Sequence, residues 1–306
     1  MPTWLIIVLI VIGVLLLAFF IFSCCVLTHM GNLLIKPKYK TRQWLIENAH
    51  HEEWPGYFDL KKEPFVLTMR DGYVINGDVS LNPASKKFMI LCHGHGSTRE
   101  GSTKYALIYY KLGYNIIRYD HRGHGDNVRV KCTMGVNESK DLVEVYKWVK
   151  ETYHPEFVSM HGASMGAATI LIATQYLTKE DVKFIVADCP FSSISNFGRD
   201  FIKAHHQPRW LLGPLFDFIM MIRFGIKPSD ASPEKYVKLC DIPVLFLHGA
   251  QDKLINPYHS DRLFKAKKEP KEQHIFPHGT HANSVFDDAE EYERVVTDYV
   301  KEQEKA

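Results

Sequence analysis

The 306-residue chain reads as an α/β protein. The sequence predicts a mostly parallel central sheet with helices on both faces, an antiparallel hairpin at its N-terminal edge and a helical cap inserted late. Three observations carry this. Short continuous apolar runs, such as Phe88-Met89-Ile90-Leu91-Cys92 and Val244-Leu245-Phe246-Leu247, alternate with helix-patterned stretches, as strands covered on both faces require. Asp71-Gly72 stands between Phe65–Met69 and Tyr73–Val79, a strong hairpin turn signal. Gly162-Ala163-Ser164-Met165-Gly166 joins the strand-like Phe157–His161 to the small-residue run Ala167–Ala173. Strand, tight G-x-S-x-G turn and helix is the layout of a nucleophile elbow.

The N-terminal stretch differs in kind. Trp4 to Leu27 carries no charged residue, and at about 1.5 Å per residue it crosses a hydrocarbon core of roughly 30 Å. Only the α-amino group supplies positive charge ahead of it, and no small-x-small site closes it, which favours an uncleaved anchor over a signal peptide. Ile21-Phe22-Ser23-Cys24 only loosely matches a lipoprotein cleavage site. Lys36, Lys38, Lys40 and Arg42 follow, so the positive-inside tendency places the globular part in the cytoplasm. Protease treatment of intact cells is expected to spare that part, and its removal overturns the orientation. Residues 3–27 are thus read as a transmembrane anchor, 28–62 as a juxtamembrane connector and 63–306 as the globular domain. Within the connector, Glu52-Glu53 reads as a solvated pair.

Composition limits the rest. Lys and Arg number 37 against 35 Asp and Glu, so there is no basic field of the kind nucleic acid demands. The six cysteines form no C-x-x-C pair and read as reduced core residues, in keeping with a reducing compartment. Beyond the hairpin, strands are expected at 88–92, 115–120, 157–160, 184–187, 242–247 and 273–276. Helices are expected at about 137–152 and 286–303. Residues 190–228 interrupt the alternation with Phe197, Phe201, Trp210, Phe216, Phe218 and Met221 among many apolar residues. That segment reads as a cap lining an apolar substrate pocket.

A serine nucleophile needs a base, an orienting acid and an oxyanion hole. Ser164 is the nucleophile candidate. Asp252 follows the strand at 242–247, on the rim where α/β sites assemble; Asp241 precedes that strand and lies at the wrong edge. His281 follows the strand at 273–276, with His278 as its rival, and Gly279 permits the turn that aims the next imidazole inward. His93-Gly94-His95-Gly96-Ser97 follows the strand at 88–92. The backbone amides of His95 and Met165 are the oxyanion candidates, each donor typically worth about 10²–10³ in rate.

With these residues in place the chain resembles the α/β-hydrolase superfamily, and within it the membrane-associated lysophospholipase-like and serine-aminopeptidase-like branches. The blocks that carry the resemblance are Leu91–Gly96, Tyr119–Gly125, His161–Gly166, His248–Asp252 and Gly279–Ala282, in that order. It implies Ser164 as nucleophile, Asp252 as acid and His281 as base, with neither cofactor nor metal. Relatives often carry serine at Asn127, a departure expected to have little consequence. The expected substrate is a small-molecule ester or acyl compound, and the expected membrane contact runs through the N-terminal helix. Oligomeric state is left open.

Other readings compete. A serine peptidase or an acyltransferase would use the same three residues. A metal hydrolase would recruit His93, His95, His121, His124 and Asp126, but Ser97-Thr98-Arg99 stand where its Asp-His pair belongs. A non-catalytic membrane-bound binding module is a different class of function, though such reuse commonly loses one member of the set.

Overall fold

The computed structural model describes residues 1–36, 38–48, 56 and 59–305; Glu52-Glu53 lies outside the described residues. Eight strands form one sheet: β1 Glu63–Thr68, β2 Val74–Ser80, β3 Lys87–Cys92, β4 Asn115–Tyr119, β5 Phe157–Ala163, β6 Ile185–Asp188, β7 Val244–Gly249 and β8 Lys271–Phe276. Their order is β1-β2-β4-β3-β5-β6-β7-β8. The last six in that order run parallel. Strand β2 is antiparallel to β1, as the Asp71-Gly72 turn predicts, and also to β4. Gly72 has φ 80° there, a conformation glycine adopts without a steric penalty.

Eleven helices are described: α1 Thr3–Ile35, α2 Arg42–Glu47, α3 Thr103–Lys111, α4 Val136–Tyr153, α5 Met165–Ala173, α6 Ile194–Ala204, α7 Arg209–Phe224, α8 Pro233–Val237, α9 Tyr258–Ala266, α10 Ser284–Asp287 and α11 Ala289–Lys305. The expected C-terminal helix is therefore two helices. The break frees Asp287 and Asp288 to accept from the Thr280 and His278 amides. Strand β3 shows why both sheet faces are covered. Phe88, Ile90 and Cys92 join Leu142, Val145 and Ala167 of α4 and α5. Met89 and Leu91 point the other way, to Tyr105, Tyr109, Tyr292 and Val296 of α3 and α11. Two-residue alternation with both faces apolar is the strand periodicity applied to a buried sheet.

A third apolar cluster lies over the C-terminal edge of the sheet. It joins Phe191, Ile194, Ile202, Leu212, Phe216 and Met220 of the cap to Met165. The same cluster holds Leu27, Met30, Leu34 and Ile35, because α1 continues past residue 27 into what the sequence reading takes as connector. Upstream, nearly every residue of α1 up to Phe22 is exposed, Leu5 alone being partly covered. The helix is long and apolar enough to cross a membrane.

Buried charge holds the other side of the sheet edge. Asp78 accepts from Arg118 Nε at 2.9 Å and from Arg99 Nε at 3.1 Å. Arg118 also donates to Glu100 at 3.0 Å. Arg99 donates to Asp120 and Asp126. Asn127 contributes more than expected: its Oδ1 accepts from the Asn76 amide at 2.8 Å, and its Nδ2 donates to the Asp120 carbonyl at 2.7 Å. It therefore ties β2 to the turn after β4.

Candidate active site

Four loops meet at the C-terminal ends of the parallel strands, where open α/β sheets collect their sites. The turn after β5 carries Ser164 at φ 55° and ψ −118°, a strained conformation for a residue with a side chain. Its flanking glycines are there for close approach. A Cβ at Gly162 would fall 2.5 Å from the Gly166 carbonyl carbon, and one at Gly166 would strike the Cys92 carbonyl. The Ser164 amide donates to the Asp188 carbonyl at 2.8 Å, which pins the turn to β6.

His281 Nε2 lies 3.0 Å from Ser164 Oγ. Its Nδ1 donates to Asp252 Oδ2 at 2.7 Å, which leaves Nε2 free to accept the serine proton. Asp252 is fully enclosed at its side chain, whereas that of His281 is 21% exposed. Both carboxylate oxygens are occupied: Oδ1 accepts from the Leu254 and Ile255 amides at 2.9 and 2.8 Å, and His248 Nε2 stands 3.2 Å from Oδ2. Burial alone would raise this carboxyl. The bonds from His248 and His281 outweigh it and hold the group well below the usual carboxylate range.

The rivals lie elsewhere. Asp241 accepts from the Lys179 amide before β7, and His278 has its amide tied to Asp288. Gly279 acts differently from the expected turn residue. Its backbone abuts Gly249, where a Cβ would collide with the Gly279 carbonyl, so the acid and base loops touch. The left-handed residue is Ala282, at φ 56°, and Lys104 Nζ donates to its carbonyl.

Opposite Ser164 stands the loop after β3. A Cβ on Gly94 would come within 3.5 Å of Ser164 Cβ. Among the described residues, neither the His95 nor the Met165 amide meets a protein acceptor. Three of the four histidines of the metal reading bond to the backbone through a ring nitrogen, whereas the buried His121 ring has no hydrogen-bond partner at either nitrogen among the described residues. His93 Nε2 accepts from the His121 amide at 2.9 Å, His124 Nδ1 donates to the Arg122 carbonyl at 2.9 Å, and His95 Nε2 donates to the Leu34 carbonyl at 2.7 Å. Burial lowers the His93 imidazole to about 4.

Sequence reasoning missed His248, Lys104 and Cys189. His248 precedes Asp252 by four residues in the Gly249 turn, a spacing visible in the chain. Lys104 and Cys189 carry no such signal. The ligand atoms of Cys189, Asp252 and His281 lie within 4.8 Å of one another. The Asp252–His281 hydrogen bond already uses two of the three, and burial holds the Cys189 thiol protonated.

His161 lies beneath the elbow. Its Nδ1 pairs with the Tyr109 hydroxyl at 2.8 Å, and burial, with a smaller push from Lys104, lowers the imidazole to about 3. A depressed imidazole makes the unfolded chain bind more protons, so its contribution to stability is present above about pH 6.5 and falls as pH drops toward 3. Asp141 runs the other way, because burial outweighs Arg122 and raises it to about 6. The difference between variants therefore isolates the imidazole. His161→Gln is expected to flatten the fall in stability between about pH 6 and 4 by up to about 1.4 kcal/mol per pH unit. Denaturant midpoints at several pH values measure this, and parallel curves for the two proteins refute it.

Sheet order, elbow and loop arrangement together define the α/β-hydrolase class. Within it, the chain belongs to the family described as serine aminopeptidase, S33, whose model matches residues 83–236. It is 30% identical over 275 residues to the uncharacterized protein YqkD of Bacillus subtilis, covering 88% of this chain and 90% of that protein. It is also 28% identical over 181 residues to the lysophosphatidylserine lipase ABHD12 of Xenopus tropicalis, covering 56% of this chain and 44% of that one. The Pyrococcus furiosus esterase Pf2001 shares the fold, with a TM-score of 0.67 at 20% identity over 88% of this chain and 97% of its own. The protein is therefore an α/β-hydrolase enzyme.

Proposed function

We propose that the enzyme is a membrane-anchored serine hydrolase that cleaves carboxylic esters with lipid-like acyl groups, through Ser164, His281 and Asp252. The observation that carries this reading is the unbroken line Asp252–His281–Ser164, next to the His95 and Met165 amides, which meet no protein acceptor among the described residues. His281 takes the Ser164 proton as Oγ attacks the ester carbonyl. The His95 and Met165 amides receive the oxyanion, and the alcohol leaves with the proton from His281. Water, deprotonated by the same imidazole, then releases the acid and restores the serine. Asp252 holds the imidazole in the tautomer with Nδ1 protonated and stabilises its cation.

The acyl preference rests on surroundings. A groove of about 980 Å³ reaches Asp252 and sets apolar Phe197, Phe201, Trp210 and Leu254 beside basic Arg199, Lys203, Arg209 and Arg262. The outer face of α7 exposes Trp210, Leu211, Phe218, Met221 and Ile222, beside the helix α1 that leads to the membrane. The basic residues after α1 favour a cytoplasmic site. A serine aminopeptidase activity is the second reading, favoured by the family description, and acyl transfer to an alcohol needs only a different acceptor in the second step.

A substrate panel separates these. Hydrolysis of p-nitrophenyl esters is expected to rise with acyl chain length, by at least about tenfold in kcat/KM from acetate to a medium chain, since each buried CH₂ is worth about 0.8 kcal/mol. Aminoacyl anilides are expected to react far more slowly. Faster turnover of the anilides overturns the esterase assignment.

A further inference from the structure

Helix α1 does more than lead to a membrane. From Ser23 onward one side is covered: Ser23, Leu27, Met30, Gly31, Leu34 and Ile35 are buried, at spacings of one, three and four that place them on one stripe. The stripe packs on α7 and joins the cluster that contains Met165. The approach is tight at Gly31, where a Cβ would strike the Phe224 ring; at Gly13, in the exposed part, a Cβ would meet nothing within 4 Å.

The last carbonyls of a helix have no partner within it, and here the loops around the site supply them. His95 Nε2 donates to the Leu34 carbonyl at 2.7 Å. The Cys132 amide donates to the Ile35 carbonyl at 3.0 Å. Just beyond the helix, the Lys40 amide donates to the Gly96 carbonyl at 3.0 Å. The His95 ring is largely buried, and desolvation keeps it neutral with its proton on the nitrogen that faces Leu34. The loop's own bonds, from His93 Nδ1 at 2.7 Å and the Ser97 amide at 3.2 Å, both end on the Gly94 carbonyl, so the His95 side chain itself is tied through Leu34.

We propose that the C-terminal turns of α1 are a working part of the active site: the Leu34 carbonyl fixes the His95 ring, and thereby aims the His95 amide at the oxyanion. This rests on the reading of Ser164 as nucleophile and of the His95 amide as a donor. His95 is then a positioning residue. Its side chain touches no substrate, and its loss leaves the amide present but poorly aimed. Misplacement by about 1 Å is enough to cost a large rate factor. The seating of the anchor thus sets the turnover of the enzyme, and a chain cut within 23–35 would be catalytically impaired even where the hydrolase domain folds.

The test uses the full-length protein in lipid nanodiscs, with active sites counted by fluorophosphonate titration so that rates refer to competent enzyme. His95→Ala is expected to lower kcat per titrated site about 10- to 100-fold on a p-nitrophenyl ester, with KM changed less than about threefold. His95→Gln, whose amide reaches the same carbonyl, is expected to recover most of that loss. Gly31→Leu is expected to lower kcat in the same direction, while Gly13→Leu on the same helix keeps the parent rate. An unchanged kcat per site in His95→Ala overturns the proposal, and so does a Gln variant as slow as the Ala variant, or a Gly31→Leu variant with parent turnover. A Ser164→Ala protein that still hydrolyses ester overturns the serine reading and this proposal with it. An inactive Ser164→Ala beside a fully active His95→Ala overturns this proposal alone.

Discussion

Ser164→Ala is expected to lower ester hydrolysis about a million-fold and to end fluorophosphonate labelling, with the fold intact. The magnitude follows from the proposed mechanism. Without Oγ there is no acyl-enzyme, and His281 is left as a base with nothing to activate but water. The two amides still receive an oxyanion, so a residual rate of about 10³–10⁴ over the uncatalysed reaction persists. Stability should change little, because among the described residues the hydroxyl bonds only to an imidazole that is itself 21% exposed. His281→Ala is expected to match the serine variant, and the double variant to be no slower than either, since the residues act as one unit. The measurements are kcat on a medium-chain ester and labelling of the purified protein. Equal labelling of parent and Ser164→Ala would place the nucleophile elsewhere.

The second large effect concerns stability. Asp78→Ala is expected to cost about 3–5 kcal/mol, because it removes the buried carboxylate that two buried guanidinium groups share. Arg118 is wholly buried and places Nε and Nη2 on Asp78, at 2.9 and 2.7–2.8 Å. Arg99 places its Nε there as well. After the substitution Glu100 remains beside Arg118, and Asp120 and Asp126 beside Arg99, but both guanidinium groups lose the carboxylate they share. Burial would raise the Glu100 carboxyl, yet Arg118 and Arg42 bring it down to about 2, so it remains charged at neutral pH. Thermal unfolding should begin roughly 10 °C earlier. The exposed Lys111–Glu293 pair, at 3.3 Å with side chains 65% and 51% exposed, is the control: Lys111→Ala should leave the midpoint unmoved. A midpoint for Asp78→Ala equal to that of the control would refute the account.

Much of the architecture was legible in the chain because the physics was local. Strands such as β3 and β7 are apolar on both faces, so no alternation is needed to see them, and Asp71-Gly72 specifies its turn by backbone conformation alone. Ser164 was legible for the same reason: two glycines flank it where any Cβ would collide. Asp252 and His281 could be placed only by position, as the polar residues just past a strand. The structure brings them with Ser164 into one hydrogen-bonded line, whereas the Asp241 carboxylate accepts from the Lys179 amide and His278 is exposed to solvent.

What escaped the sequence depends on contacts between distant segments. His248 and Lys104 look like ordinary polar residues until folding sets one beside Asp252 and the other against the Ala282 carbonyl. Gly279 was visible as a glycine, but its purpose, room for the Gly249 backbone, requires both loops in place. Asn127 looked like a neutral departure and proves to bridge β2 to the turn after β4.

By itself, then, the sequence determined the alternation of strands and helices, the elbow and the apolar length of α1, since each is written in neighbouring residues through periodicity, backbone strain or hydropathy. Only the tertiary structure decided that α1 runs on to Ile35 and closes its last carbonyls on the loop of His95. That outcome depends on a cap helix almost two hundred residues away leaving room for Gly31, and on a histidine sixty-one residues downstream. No local pattern encodes such a meeting, because it is set by packing of the whole chain.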